Sequence, residues 1–148
     1  MPDLRERIKD VRMKDIQDFY KENASEMKNE DRAFADYMRS LIKTKGISQQ
    51  DIFLNADIPE RYGYKLISQE KRTRQRDIIL RICYAAEFTL EETQRALQLY
   101  QMPELFPEFA RDAFLMVAFC DRPGDIIELN AQLRKNGFSP LRSSGTLE

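Results

Sequence analysis

The sequence predicts an all-α protein, a helix-turn-helix bundle followed by two C-terminal helical hairpins. Three observations carry that expectation. Apolar residues recur at the helical period and no stretch alternates as a half-buried strand would. The block Lys45-Gly46-Ile47-Ser48-Gln49-Gln50-Asp51-Ile52 reads as a helix end, a tight glycine turn and a capped new start. From Arg76 onward, a pattern recurs after 35 residues.

Taken in order, residues 3–22 carry Leu4, Ile8, Val11, Ile16 and Phe19 along one rough stripe, which predicts a first helix that packs back or meets a partner. Residues 23–31 are polar and read as a loop. A second helix is expected over 32–45, with Phe34, Tyr37, Met38, Leu41 and Ile42 at core spacing. Residues 48–56 and 59–69 then form the helix-turn-helix pair, with Ser48 as cap and Asp57 at the turn, where Asp tolerates the left-handed conformation.

In the repeated part, Arg76-Asp77-Ile78-Ile79-Leu80 returns as Arg111-Asp112-Ala113-Phe114-Leu115, and Met102-Pro103-Glu104-Leu105 is echoed by Phe138-Ser139-Pro140-Leu141. Each copy reads as a helical hairpin. Thr89 and Glu92 form a second capping box, and Gly137 stops the last helix. Residues 113–120 are apolar all round, so that helix is expected at the centre of the core. Two copies are too few for a solenoid, and both a duplication and independent hairpins of similar length remain open. The domains expected are an N-terminal helix and loop (1–31), the helix-turn-helix domain (32–88), a hairpin region packed on it (89–141) and a disordered tail (142–148).

At 148 residues the chain can bury a core without disulfides. Cys83 and Cys120 both lie in apolar runs and are expected as buried thiols. With no signal-like or membrane-length apolar segment, the expectation is a reduced cytoplasmic setting. Histidine is absent, which removes His-based acid-base chemistry and most zinc sites. No phosphate loop, Cys-x-x-Cys or nucleophile elbow occurs, so neither an enzyme nor a cofactor or metal is expected.

The net charge of −1 conceals an asymmetry: residues 1–31 carry −2, residues 32–81 carry +5 and residues 82–148 carry −4. The positive middle coincides with the helix-turn-helix pattern, as a phosphate-binding face requires. Phe34, Tyr37, Phe53, Phe88, Phe106, Phe109, Phe114 and Phe119 are expected in the core. Tyr62 and Tyr64 cannot both face it, because residues two apart lie on different sides of a helix.

On these residues, 37–76 resembles the Cro/repressor-type (XRE-type) helix-turn-helix family, most clearly in the Lys45 to Ile52 block. Arg61-Tyr62-Gly63-Tyr64, Lys71-Arg72 and Leu90-Glu91-Glu92-Thr93 also resemble a group of such proteins from Gram-positive bacteria with a helical C-terminal extension. The resemblance implies a repressor-like bundle, a homodimer and sequence-specific binding of double-stranded DNA in transcriptional regulation. It would set Gln49 beside a phosphate, Glu60, Arg61, Tyr62, Tyr64 and Lys65 toward base edges or flanking phosphates, and Lys71, Arg72, Arg74 and Arg76 on the backbone. Arg61 is the leading candidate for base readout, since its fork matches guanine O6 and N7. Phe53 and Gly63 depart from the family, which usually has alanine and an apolar residue there. The alternative is a protein-protein interaction module on a degenerate helix-turn-helix.

Overall fold

The computed structural model describes residues 3–27 and 30–143, and among them every regular element is helical. Residues 144–148, expected as tail, lie outside the described residues. The chain divides into two units, Met1–Arg32 and Ala33–Glu148.

In the first unit, the single helix expected over 3–22 is broken into α1 (Leu4–Ile8), a 3₁₀ turn (Met13–Asp15) and α2 (Ile16–Glu22). The break has a partner-based reason. Arg7 of α1 donates to the Asn23 side chain and pairs with Glu26, whereas a straight helix would put Arg7 and Asn23 about 24 Å apart. Asn23 in turn donates to the Phe19 carbonyl at 2.9 Å, and Phe19 is buried.

The second unit comprises α3 (Ala33–Lys45), α4 (Gln49–Ala56), α5 (Glu60–Ile67), α6 (Arg76–Ala85), α7 (Leu90–Leu99), α8 (Ala110–Asp121) and α9 (Ile126–Lys135). The expected caps are present: Ser48 Oγ accepts from the Asp51 amide at 3.1 Å, and Thr89 and Glu92 close a reciprocal capping box. Several helices end on a left-handed residue followed by an apolar one whose amide bonds back to the carbonyl five residues earlier, as at Asp57-Ile58, Glu87-Phe88, Gln101-Met102 and Gly137-Phe138. Tyr37 donates to the Glu92 carbonyl and Lys45 pairs with Glu92 at 2.7 Å, which fastens α3 to α7. The segments expected as 32–88 and 89–141 therefore share one core.

The central helix is α6, not α8 as expected. Every residue from Asp77 to Tyr84 is buried, with α4, α7 and α9 around it. On α8, Val117 is 65% exposed and Cys120 is exposed. Hydropathy misranks the two helices because α6 contains charged residues that are buried with partners. Arg81, 4% exposed, donates to the carbonyls of Ala56 (3.0 Å), Leu141 (2.7 Å) and Arg142 (2.6 Å). Arg142, expected in a disordered tail, is thus anchored, and its own amide donates to Asp77 at 2.9 Å. Phe106 and Phe109 also leave the expected core and meet each other on the surface, edge to face at 6.1 Å.

The two copies of the repeated pattern interlock. Arg76 of α6 pairs with Asp112 of α8, while Arg111 of α8 pairs with Asp77 of α6 at 3.0 and 3.2 Å. The correspondence extends outward. Asp112 also accepts the Phe106 amide as Asp77 accepts that of Arg142, and Gln94 accepts the Leu105 amide as Asn130 accepts that of Leu141, both at 2.8 Å. Tyr84 and Phe119, 35 residues apart, meet ring to ring at 5.4 Å. Such reciprocity, in which i meets j and j meets i, is the signature of a two-fold contact.

Phe53 and Gly63 also explain each other. A Cβ on Gly63 would lie 2.4 Å from the Phe53 ring, so the aromatic ring on α4 occupies the place of a side chain on α5. Gly63→Ala is expected to destabilise by about 1–3 kcal/mol through overpacking, although alanine is the better helix former by about 1 kcal/mol. In a Phe53→Ala background the same change should become stabilising. Urea unfolding of the four proteins checks this reversal of sign. By the same measurement, Asp112→Ala should cost about 3–5 kcal/mol by leaving Arg76 half-buried without its carboxylate. Adding Arg76→Ala to it should then cost far less than Arg76→Ala alone, and additive losses would contradict the pairing.

Candidate nucleic-acid interface

The α4–α5 pair is positioned by its termini. Ser48 starts α4, with Gln49 half-buried in its first turn, and Asp57 at φ 56° ends it. Pro59, extended at ψ 131°, delivers the chain into α5. Gly63, Leu66 and Ile67 form the buried side of α5, and Tyr62 packs half-buried against the same core. Glu60, Arg61 and Tyr64 are exposed. One tyrosine therefore faces inward and the other outward, as the spacing required. Tyr64, 41% exposed, keeps its ring edge-on to Phe53 at 5.0 Å. Its phenol is raised above the ordinary value by desolvation and then by the Glu60 carboxylate one turn earlier.

After α5, Gln69 at φ 66° reverses the chain, and the Lys71 amide donates to the Lys65 carbonyl at 3.0 Å. That bond holds exposed Lys71 beside half-buried Lys65 at the end of the helix. The next residues are pinned to α7. The Tyr100 hydroxyl accepts the Thr73 amide at 2.7 Å, and Arg72 lies 4.5 Å over the Tyr100 ring while donating to the Tyr100 carbonyl at 3.0 Å. Arg74 is exposed.

The ten residues singled out from the sequence thus fall into three groups. Arg61, Tyr64, Glu60, Lys71 and Arg74 are open to solvent, and Gln49, Tyr62 and Lys65 are partly covered. Arg72 and Arg76, expected on phosphates, also make contacts within the fold: exposed Arg72 with Tyr100, and half-buried Arg76 with Asp112 and the Glu104 carbonyl. The repeated Arg-Asp dipeptide was visible in the sequence, but nothing in one strand of text says that two such dipeptides face each other. Among the described residues, no group of three His, Cys, Asp or Glu could hold a metal ion, and no helix is long and apolar enough to cross a membrane.

The Tyr100 hydroxyl is expected to set the stability of the basic segment. Tyr100→Phe should cost about 1–2 kcal/mol, by leaving the buried Thr73 amide unpaired, and should speed hydrogen exchange at that amide by about tenfold or more. Unchanged exchange at Thr73 would mean that the segment is held by other contacts. Compared with known proteins, the chain matches no family model, and no curated protein or solved structure is significantly similar to it.

Proposed function

We propose that α4 and α5 act as a helix-turn-helix that docks on double-stranded DNA, and that the chain is a sequence-specific transcriptional regulator of the kind its resemblance to XRE-type proteins implies. The observation that carries this reading is the outward face of α5. Arg61 and Tyr64, one turn apart at the start of the helix, are both exposed, and Lys71 is held at its far end. A helix with a forked donor near its N-terminus and a cation at its end has the chemistry to read base edges while gripping the backbone. In this reading Arg61 contacts guanine, Gln49, Lys65, Lys71 and Arg74 contact phosphates, and Arg72 and Arg76 position the basic segment.

One observation favours a second reading, an interaction module for a protein partner. Leu54 on α4 is 76% exposed, and exposed Asp51, Asp57 and Glu60 stand on the same two helices. Carboxylates repel phosphates, and an apolar side chain suits a protein surface.

Fluorescence anisotropy against pooled random duplexes at two salt concentrations, with sequencing of the bound fraction, tests both. The expected outcome is salt-dependent binding and enrichment of a motif. Arg61→Ala should relax preference at one position, whereas Lys71→Ala and Arg74→Ala should each weaken all duplexes and lower the salt slope by about one unit. Equal duplex affinity of wild type and an Arg61→Ala/Lys71→Ala protein would overturn the DNA reading in favour of the partner-binding one.

A further inference from the structure

We propose that the groove between α8 and α9 is where a second copy of this chain docks, the two copies related by a two-fold axis crossing α8 near Val117. The inference stands on the geometry of the repeated part and does not require duplex binding.

Phe114, Val117, Ala118, Asp121, Pro123 and Gln132 line this groove, whose volume is about 300 Å³. The internal repeat shows what such a surface does when it is complete. The residues 35 positions earlier than Phe114, Val117 and Ala118 are Ile79, Ile82 and Cys83, all fully buried. In that first copy α4 lies against α6 and α3 against α7. The second copy keeps apolar side chains at the matching places, yet Val117 is 65% exposed. Val117 and the Phe114, Ala118 and Pro123 side chains of the cleft beside it form one continuous apolar surface, the kind that marks a contact with another body rather than a scattered exposed residue.

Charge selects that body. Glu92, the counterpart of Glu128, is paired with Lys45 on the covering helix α3. Glu128 is exposed and, among the described residues, has no such lysine. Along α9, Glu128, Gln132 and Lys135 share one stripe at i, i+4 and i+7. Glu128 and Asp121 are negative at the end where α8 passes into α9, and Lys135 is positive at the opposite end, where Phe138 meets Phe114 at 5.7 Å. A surface acidic at one end and basic at the other is complementary to itself when turned round. An antiparallel copy sets Asp121 and Glu128 beside its partner's Lys135, and Val117 against Val117 at the axis.

Sedimentation velocity of the full chain without DNA, over a concentration series, tests the proposal. Wild type is expected to dimerise, and Val117→Glu to be monomeric with an unchanged far-ultraviolet circular dichroism spectrum. Asp121→Lys and Lys135→Asp should each weaken dimerisation by about tenfold, and the two together should restore it, because the swapped charges again complement. Cys120 provides a second readout. It is exposed, whereas Cys83 is buried and its thiol pushed up to about 12, so a bis-maleimide should react at Cys120. Two Cys120 residues flanking the axis lie on the order of 9 Å apart along α8, and the reagent should link wild type but not Val117→Glu. A wild type monomeric at every concentration, or a Val117→Glu protein that dimerises and cross-links like wild type, overturns the proposal. A monomer that binds duplexes would overturn it while leaving the helix-turn-helix reading intact.

Discussion

The crossed pair of Arg76–Asp112 and Arg111–Asp77 ties together α6, α8 and the connections that follow α7 and α9. Both carboxylates are nearly buried, and desolvating them would be prohibitive without several donors on each. Each has them: two guanidinium N–H groups from the opposite helix, and one backbone amide from the connection that follows α7 or α9. Each aspartate also stands in the first turn of its helix, where the dipole favours negative charge. One device therefore sets the approach of α6 to α8, the course of residues 103–106 and the course of residues 139–142. Because Asp77 is satisfied in this way, α6 can be the buried helix of the unit, and Arg81 can stand one turn later as a bridge between the end of α4 and the chain beyond α9.

The same device reshapes the electrostatics of the middle segment. A count along the sequence gives residues 32–81 an excess of five positive charges, but several of those charges face inward. Arg81 is buried, Arg76 is half-buried on Asp112, and Lys45 is bound to Glu92. Arg72 rests on Tyr100, whose ring also packs edge-on against Phe34 at 4.6 Å. The cations exposed near α5 are accordingly Arg61, Lys71, Arg74 and the Tyr100-bound Arg72, with Lys65 half-covered. The positive field around α5 is narrower than the charge count implies, and the basic segment is a strap between α5 and α7 rather than a loose arm. That rigidity lowers the entropy lost when the strap meets a partner.

Helix starts were legible in the sequence wherever a short polar side chain announced them, as at Ser48 and Thr89, since the cap bonds are local. Helix ends were legible at Gly46, Asp57 and Gly137. They were not at Gln69, Glu87, Gln101 and Arg122, which adopt the left-handed conformation although their side chains do not favour it. Tertiary context imposes those ends: Arg122, for example, has its guanidinium 4.5 Å over the Tyr84 ring and donating to the Tyr84 carbonyl at 2.7 Å. Within the candidate interface, the periodicity of α5 correctly turned one tyrosine in and one out. The fit of Gly63 against Phe53 was invisible, because it depends on the distance between two helices and not on either helix by itself.

The exchange of roles between α6 and α8 follows from the same limit. Hydropathy measures what a helix could bury, not how many neighbours it has. In α6 the charged residues Asp77 and Arg81 lower the apolar score of a helix surrounded by α4, α7 and α9. In α8 the run from Ala113 to Cys120 has a high apolar score on a helix whose Val117 side faces solvent. Two copies of one pattern thus occupy opposite situations, the first covered by α4, the second open along a groove. Apolar character on the covered copy is explained by the core. On the open copy the core accounts for Leu115, Ala118 and Phe119, and for Phe114 and Met116 packed against it, whereas Val117 is turned mostly to solvent. A single exposed aliphatic residue is ordinary, but Val117 stands beside a cleft lined by Phe114, Ala118 and Pro123, and such a continuous apolar surface is what distinguishes an interaction site from scattered exposure.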